Sequence, residues 1–310
     1  MNKGYLLVFS TAIISGFAIF LSKFGVSVIN PYIFTWSKNL IVAILLMGLL
    51  FALKDWRVLR NLTKKQWLLL ISIGLIGGSI PFLLFFKGLS MTSAVSGSFI
   101  HKTMFIYVAF LAILFLKEKI DKRFLLGGFF LILGNLLLLN KLSFSFSLDS
   151  GYFLIFLATF FWAIENTISK YVLKELPGRT VAWARMFFGA FFISLFLLGT
   201  GQVSLITTLT FTQVSWVLIT ATILFGYVMT WYSGLKYIPV HQATVILLFG
   251  APITTLLSFA FGKGIIVQDV LAGFLIILGI AFILGIKKIL EMINDAKSLL
   301  VYARIYPPKF

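Results

Sequence analysis

Residues 150–174 read SGYFLIFLATFFWAIENTISKYVLK, and this stretch decides the fold class. Between Gly151 and Leu173 it is apolar apart from Glu165, Lys170 and a few neutral polar residues. At 1.5 Å per residue such a helix spans about 34 Å, enough to cross roughly 30 Å of hydrocarbon. Thr159, Trp162, Asn166 and Ser169 recur every three or four residues, which is helical spacing rather than the two-residue alternation of a membrane β-strand. Only a helix satisfies its backbone within so apolar a run.

Working outward, the same kind of run recurs along the chain. Spans are expected near Gly4–Val28, Tyr32–Leu53, Trp67–Phe86, Thr92–Leu116, Phe124–Leu139, Gly151–Leu173, Val181–Gly199, Val214–Leu235, Val240–Phe261 and Val270–Ile286. Across 310 residues, 60% are hydrophobic and 11% charged, far from the roughly 25% charge of soluble domains. The expected class is an all-α integral membrane protein of ten transmembrane helices. No cysteine is present, so disulfide and thiolate chemistry are absent. Lys3 leads into a run too long for a signal-peptide core, so the first helix is expected to remain in the mature protein.

The net charge of +17 could point to nucleic acid, but its distribution points to topology. Placed on alternate sides of the ten spans, eighteen lysines and arginines fall on the side of the termini. Three (Lys87, Lys141 and Lys263) fall on the other. The positive-inside rule then predicts an inner-membrane protein with both termini cytoplasmic, the basic surplus contacting anionic lipid and no nucleic acid.

The chain also repeats itself. Ser22-Lys23 returns 147 residues later as Ser169-Lys170, and Trp36 and Lys38 return as Trp183 and Arg185. Gly88-Leu89 returns 146 later as Gly234-Leu235, and Gly128 and Gly134 return 145 later as Gly273 and Gly279. A five-helix unit crosses an odd number of times, so a second copy must be inverted. The expected units are residues 1–140 and 151–286, followed by a tail over 287–310. There Ile289, Ile293, Ala296, Leu300 and Ala303 form one stripe of a cytoplasmic amphipathic helix, lying on the membrane or against a partner. Inverted repeats are the plan of many secondary transporters, which bind substrate near the midplane.

The chain thereby resembles the drug/metabolite transporter superfamily in its ten-helix EamA-type branch, over residues 4–286. The resemblance rests on the two repeats, on Lys38 and Arg185 early in each second helix, and on Leu116-Lys117-Glu118-Lys119. It rests also on the Gly128…Leu133-Gly134 and Gly273…Leu278-Gly279 patterns. Lys38 stands where the family usually has Arg, and Gly264 where Glu118 would recur. The resemblance implies a carrier, often an exporter of amino acids or other metabolites, and leaves the substrate open.

Ionisable groups inside the spans cost about 2.5–3.5 kcal/mol each on insertion scales and usually face a cavity or a partner. Lys23, Lys38, His101, Lys102, Glu165, Lys170 and Arg185 are the candidates. Glu165 and Lys102 lie roughly 21 and 15 Å deep, which predicts a mid-membrane pair or a shared cavity. His101, about 100° from Lys102, shares a face with Ala94 and Gly97 and is assigned to packing. His241 is expected at a wetted interface, and Lys23 and Lys170 read equally as snorkelling side chains. The expected substrate site is Lys102, Glu165, Trp162, Asn166, Tyr107, Tyr227, Trp231, Lys38 and Arg185. Pro81 and Pro252 interrupt their helices, while Gly74 and Gly78 make a small-residue packing face.

Three function classes remain. A carrier of a carboxylate-bearing metabolite, with protons as a possible co-substrate and no cofactor or metal, fits best. A lipid or isoprenoid-phosphate flippase on the same plan is the alternative. An enzyme lacks its parts, with no His-Glu-x-x-His, no Gly-x-Ser-x-Gly and only two histidines at different depths.

Overall fold

The computed structural model describes residues 3–139, 150–262, 267–286, 289–291 and 294. Its main helices are α1 (Lys3–Val28), α2 (Pro31–Ala52), α3 (Lys64–Met91), α4 (Ala94–Leu116) and α5 (Lys122–Leu139). They continue as α6 (Ser150–Val172), α7 (Gly178–Gly199), α8 (Phe211–Leu235), α9 (Val240–Ala260) and α10 (Val267–Leu284). Among the described residues there is no strand, and nine of these helices are long and apolar enough to cross a membrane. The remaining one, α5, has 18 residues and lies along α10. The protein is a multi-pass membrane protein. The amphipathic helix expected over 287–310 falls almost wholly outside the described residues.

Local chemistry starts these helices where the sequence changes character. Asn30 caps α2 by accepting from the amides of Tyr32 and Ile33, with Pro31 in the first turn, where its missing N–H costs nothing. Thr63 and Gln66 form a reciprocal capping box at the start of α3, and Thr210 and Gln213 form the same box at α8. These two boxes are 147 residues apart.

The pairing of helices is regular. α1 packs on α8 and α6 on α3; α1 meets α9 and α6 meets α4; α2 meets α7 and α5 meets α10. Each pairing becomes another, or itself, when five is added to the first five labels and subtracted from the rest. Lipid-like packing needs close backbones, because apolar burial gives little drive between helices in a membrane. The α3–α7 crossing is the clearest case. A Cβ on Gly78 would lie 2.0 Å from the carbonyl oxygen of Arg185, and one on Gly189 would lie 2.4 Å from that of Gly78. Outward, large apolar side chains such as Phe110, Phe115, Leu125 and Phe274 are more than half exposed, a belt suited to hydrocarbon.

Lys23 and Lys170 do more than snorkel. Lys23 Nζ donates to the carbonyls of Leu89 (2.9 Å) and Ser90 (3.2 Å) in the last turn of α3. Lys170 Nζ donates to those of Leu235 (2.8 Å) and Ile238 (2.7 Å) at the end of α8. Each lysine satisfies orphan carbonyls and meets the negative end of a helix dipole.

Candidate functional site

Pro81 begins the site. Having no N–H, it cannot bond the carbonyl four residues back, that of Gly77. Residues Gly74–Ser79 form a π-helical turn, and the freed Gly77 oxygen accepts from Trp162 Nε1 (2.9 Å) and Arg185 Nε (3.2 Å). The next carbonyl, that of Gly78, accepts from Asn39 Nδ2 at 2.8 Å. The carbonyl freed by one proline in α3 thus holds side chains from α6 and α7, and its neighbour holds one from α2.

Arg185 has protein partners on two sides. Its Nη1 donates to the Tyr232 hydroxyl at 3.1 Å, which donates to Glu165 Oε1 at 2.6 Å. Ser169 Oγ donates to the same oxygen at 2.5 Å, while Glu165 Oε2 has no hydrogen-bond partner. The carboxylate lies against Gly77, where a Cβ would sit 2.2 Å from Glu165 Cγ. Any larger residue at position 77 would displace Glu165.

Lys38, the residue 147 positions before Arg185, is placed differently. It is 2% exposed, and its ammonium sits over the rings of Phe86 (3.7 Å) and Phe34 (4.4 Å). No acceptor among the described residues takes a hydrogen bond from it, and no carboxylate pairs with it. Ring faces attract a cation by about 2 kcal/mol or more when desolvated, which offsets only part of its lost hydration.

Lys38 and Arg185 line one central cavity together with His101, Trp162, Asn166 and Tyr227, walled by Phe82, Phe85 and Phe86. No Asp or Glu is among its lining residues. The space is about 70 Å³, room for a few water molecules, so a metabolite enters only when helices or side chains part. The His101 ring packs edge-on against Trp162 (5.0 Å) and Phe85 (5.7 Å), and its Nδ1 is buried without a partner.

A second polar cluster joins the two halves of the chain at the basic end. Glu118 Oε1 accepts from the Val240 amide (2.9 Å), and Oε2 accepts from the His241 amide (3.4 Å) and lies 2.5 Å from His241 Nδ1. Burial alone would raise this carboxyl, but the His241 ring and the two amides hold it below its ordinary value. It is a carboxylate cap on the N-terminus of α9, supplied from beyond α4.

The profile of the EamA-like transporter family matches this chain over residues 2–140 and again over 149–285. The chain belongs to that family. Uncharacterized transporter YyaM of Bacillus subtilis is 27% identical over 295 residues, spanning 92% of this chain and 94% of that protein. Riboflavin transporter ImpX of Fusobacterium nucleatum is 27% identical over 263 residues, spanning 78% and 84%. One solved crystal structure superimposes with a TM-score of 0.66 at 17% identity, covering 89% of this chain and 98% of that one. At that identity the likeness speaks to fold alone.

Of the residues expected to bind substrate, Lys38, Arg185, Trp162, Asn166 and Tyr227 line the cavity. Trp231 stands behind it, donating to Asn166 Oδ1 at 3.0 Å and stacking on Tyr227. The expected Lys102–Glu165 pair does not form. Lys102 Nζ donates to Ser15 Oγ at 2.8 Å, near Gly250, between α1 and α9, whereas Glu165 is held by Ser169 and Tyr232. Neither lines the cavity. Tyr107 turns away from it, edge-on to the outward-facing Phe156 and Phe160. His101, assigned to packing, takes the cavity-facing position one step from Lys102. His241 is 5% exposed and bound to Glu118, not wetted.

Proposed function

We propose that this protein is a secondary carrier of a small metabolite bearing a carboxylate or phosphate, working by alternating access around the central cavity. One observation carries the reading: the Lys38 ammonium is buried, faces the cavity and, among the described residues, has no acid or hydrogen-bond acceptor of its own. With Arg185 beside it and no carboxylate in the lining, the cavity potential is positive. Low dielectric strengthens its attraction for an anion. An amino acid would meet this site through its carboxylate, since Glu165 is engaged elsewhere.

Alternating access rests on the two halves being an inverted ten-helix pair, residues 1–140 and 151–286. Several observations support that architecture: the doubled family match, the capping boxes at Thr63 and Thr210, the paired lysine caps and the helix pairings that exchange under a shift of five. Inner-membrane placement with cytoplasmic termini follows from the eighteen-to-three charge asymmetry. A thermal-shift screen of the purified protein against carboxylates, amino acids, nucleotides, polyamines and lipid phosphates tests the substrate class. Carboxylates or phosphates should stabilise the protein. Polyamines as the best stabilisers would refute the reading. Reporter fusions at residues 60 and 205 should report opposite sides of the membrane, and the same side for both would end the inverted model.

A further inference from the structure

At the basic end, the first turn of α1, the start of α7 and the end of α8 enclose a second pocket of about 190 Å³. Lys3, Arg179 and Lys236 line it, with Ser233 and the backbone of Gly178. Lys3 makes no hydrogen bond or ion pair among the described residues. Arg179 gives Nε to Asp55 Oδ2 at 2.6 Å and keeps its terminal amino groups, and Lys236 gives one hydrogen to the Leu176 carbonyl at 3.2 Å. Three cations thus face one carboxylate. No side chain caps the start of α7 behind Pro177, so its first amides add positive potential. Gly178 brings that start down onto α8, where a Cβ would lie 2.8 Å from the Tyr232 carbonyl oxygen.

The pocket lies where the lipid-facing surface meets the basic end. Lys3 is two and three heptads before Phe17 and Phe24, which are 41% and 37% exposed on the same face of α1. On α1, the outward-facing Ile13, Phe17 and Phe24 therefore lead down to the cations. We propose that this pocket binds the phosphate of an anionic phospholipid, whose acyl chains lie along the outer face of α1. The site is separate from the central cavity and independent of what that cavity carries. Free phosphate shares the headgroup chemistry but has no chains to cover Phe17 and Phe24.

Titration of the full chain in detergent with short-chain phosphatidylglycerol, phosphatidylcholine of equal chain length, and inorganic phosphate separates these sources, read by melting temperature. Phosphatidylglycerol should stabilise at concentrations at least tenfold below phosphatidylcholine, and inorganic phosphate should give no shift at the same concentrations. Lys3→Gln should weaken the phosphatidylglycerol response about fivefold, and Lys3→Gln with Lys236→Gln roughly 20-fold. The exposed Lys3, without a partner among the described residues, keeps the test valid if loss of the Lys236 bond to Leu176 harms folding. Equal responses to the two lipids, reproduction of the shift by inorganic phosphate, or an unchanged response in Lys3→Gln would each overturn the assignment.

Discussion

Lys38 of α2 and Arg185 of α7 stand 147 residues apart, and the structure treats them in opposite ways. Arg185 donates to the Gly77 carbonyl and to Tyr232, and through Tyr232 it reaches Glu165. Among the described residues, Lys38 has only the faces of Phe34 and Phe86. A buried cation with partners holds a fold together, while a buried cation facing space without partners is ready for a ligand's anion. On the proposed reading the pair divides those tasks, so removing each residue should have effects of opposite sign on stability.

Arg185→Gln should have the largest effect on the folded protein. It takes one donor from the Gly77 carbonyl and one from the Tyr232 hydroxyl, and removes the cation linked through Tyr232 to the buried Glu165, at a cost of about 3–5 kcal/mol. A melting temperature within a degree of the wild type would show that the network is idle. Tyr232→Phe is the next step down. It cuts the bridge between Arg185 and Glu165 while keeping the ring, and should cost about 1–3 kcal/mol. Urea or thermal unfolding of the detergent-solubilised variant measures this, and no loss would mean that Arg185 and Glu165 need no bridge.

The smallest effect belongs to the basic end. Glu118→Gln weakens a carboxylate cap on α9 and should cost about 1 kcal/mol near neutral pH. Because the folded protein holds Glu118 below its ordinary value of 4.5, its contribution is present above that value and is lost as pH falls through the lowered pKa. The gap in melting temperature between wild type and variant should stay constant near neutral pH and close below about 4.5. A gap that widens on acidification would reverse the assigned direction.

The spans were legible because apolar runs of membrane length admit only helices. That Lys38 and Arg185 both line the cavity was legible because basic residues inside such runs are scarce. The pairing of Lys102 with Glu165 failed for a geometric reason. Depth along a helix follows from residue count, but the direction a side chain faces depends on which neighbours surround it. On α4 that choice gave the cavity to His101 and turned Lys102 toward Ser15; it likewise sent Tyr107 outward. Two signals were present and unread. The first is the carbonyl four residues before Pro81, which anchors Trp162 and Arg185. The second is the Thr-x-x-Gln boxes at Thr63 and Thr210. The bond from Glu118 to His241 joins residues 123 apart in sequence, and no local pattern announces it.

The division of labour between the two cations is tested most directly by Lys38→Met, comparing melting temperature and ligand response in one experiment. The account predicts a variant that melts at or above the wild-type temperature, since it loses a buried charge that, among the described residues, is met only by two ring faces. It also predicts at least a tenfold weaker response to whichever carboxylate or phosphate stabilises the wild type. A variant that melts several degrees lower, or one that keeps the wild-type response to those anions, would contradict it.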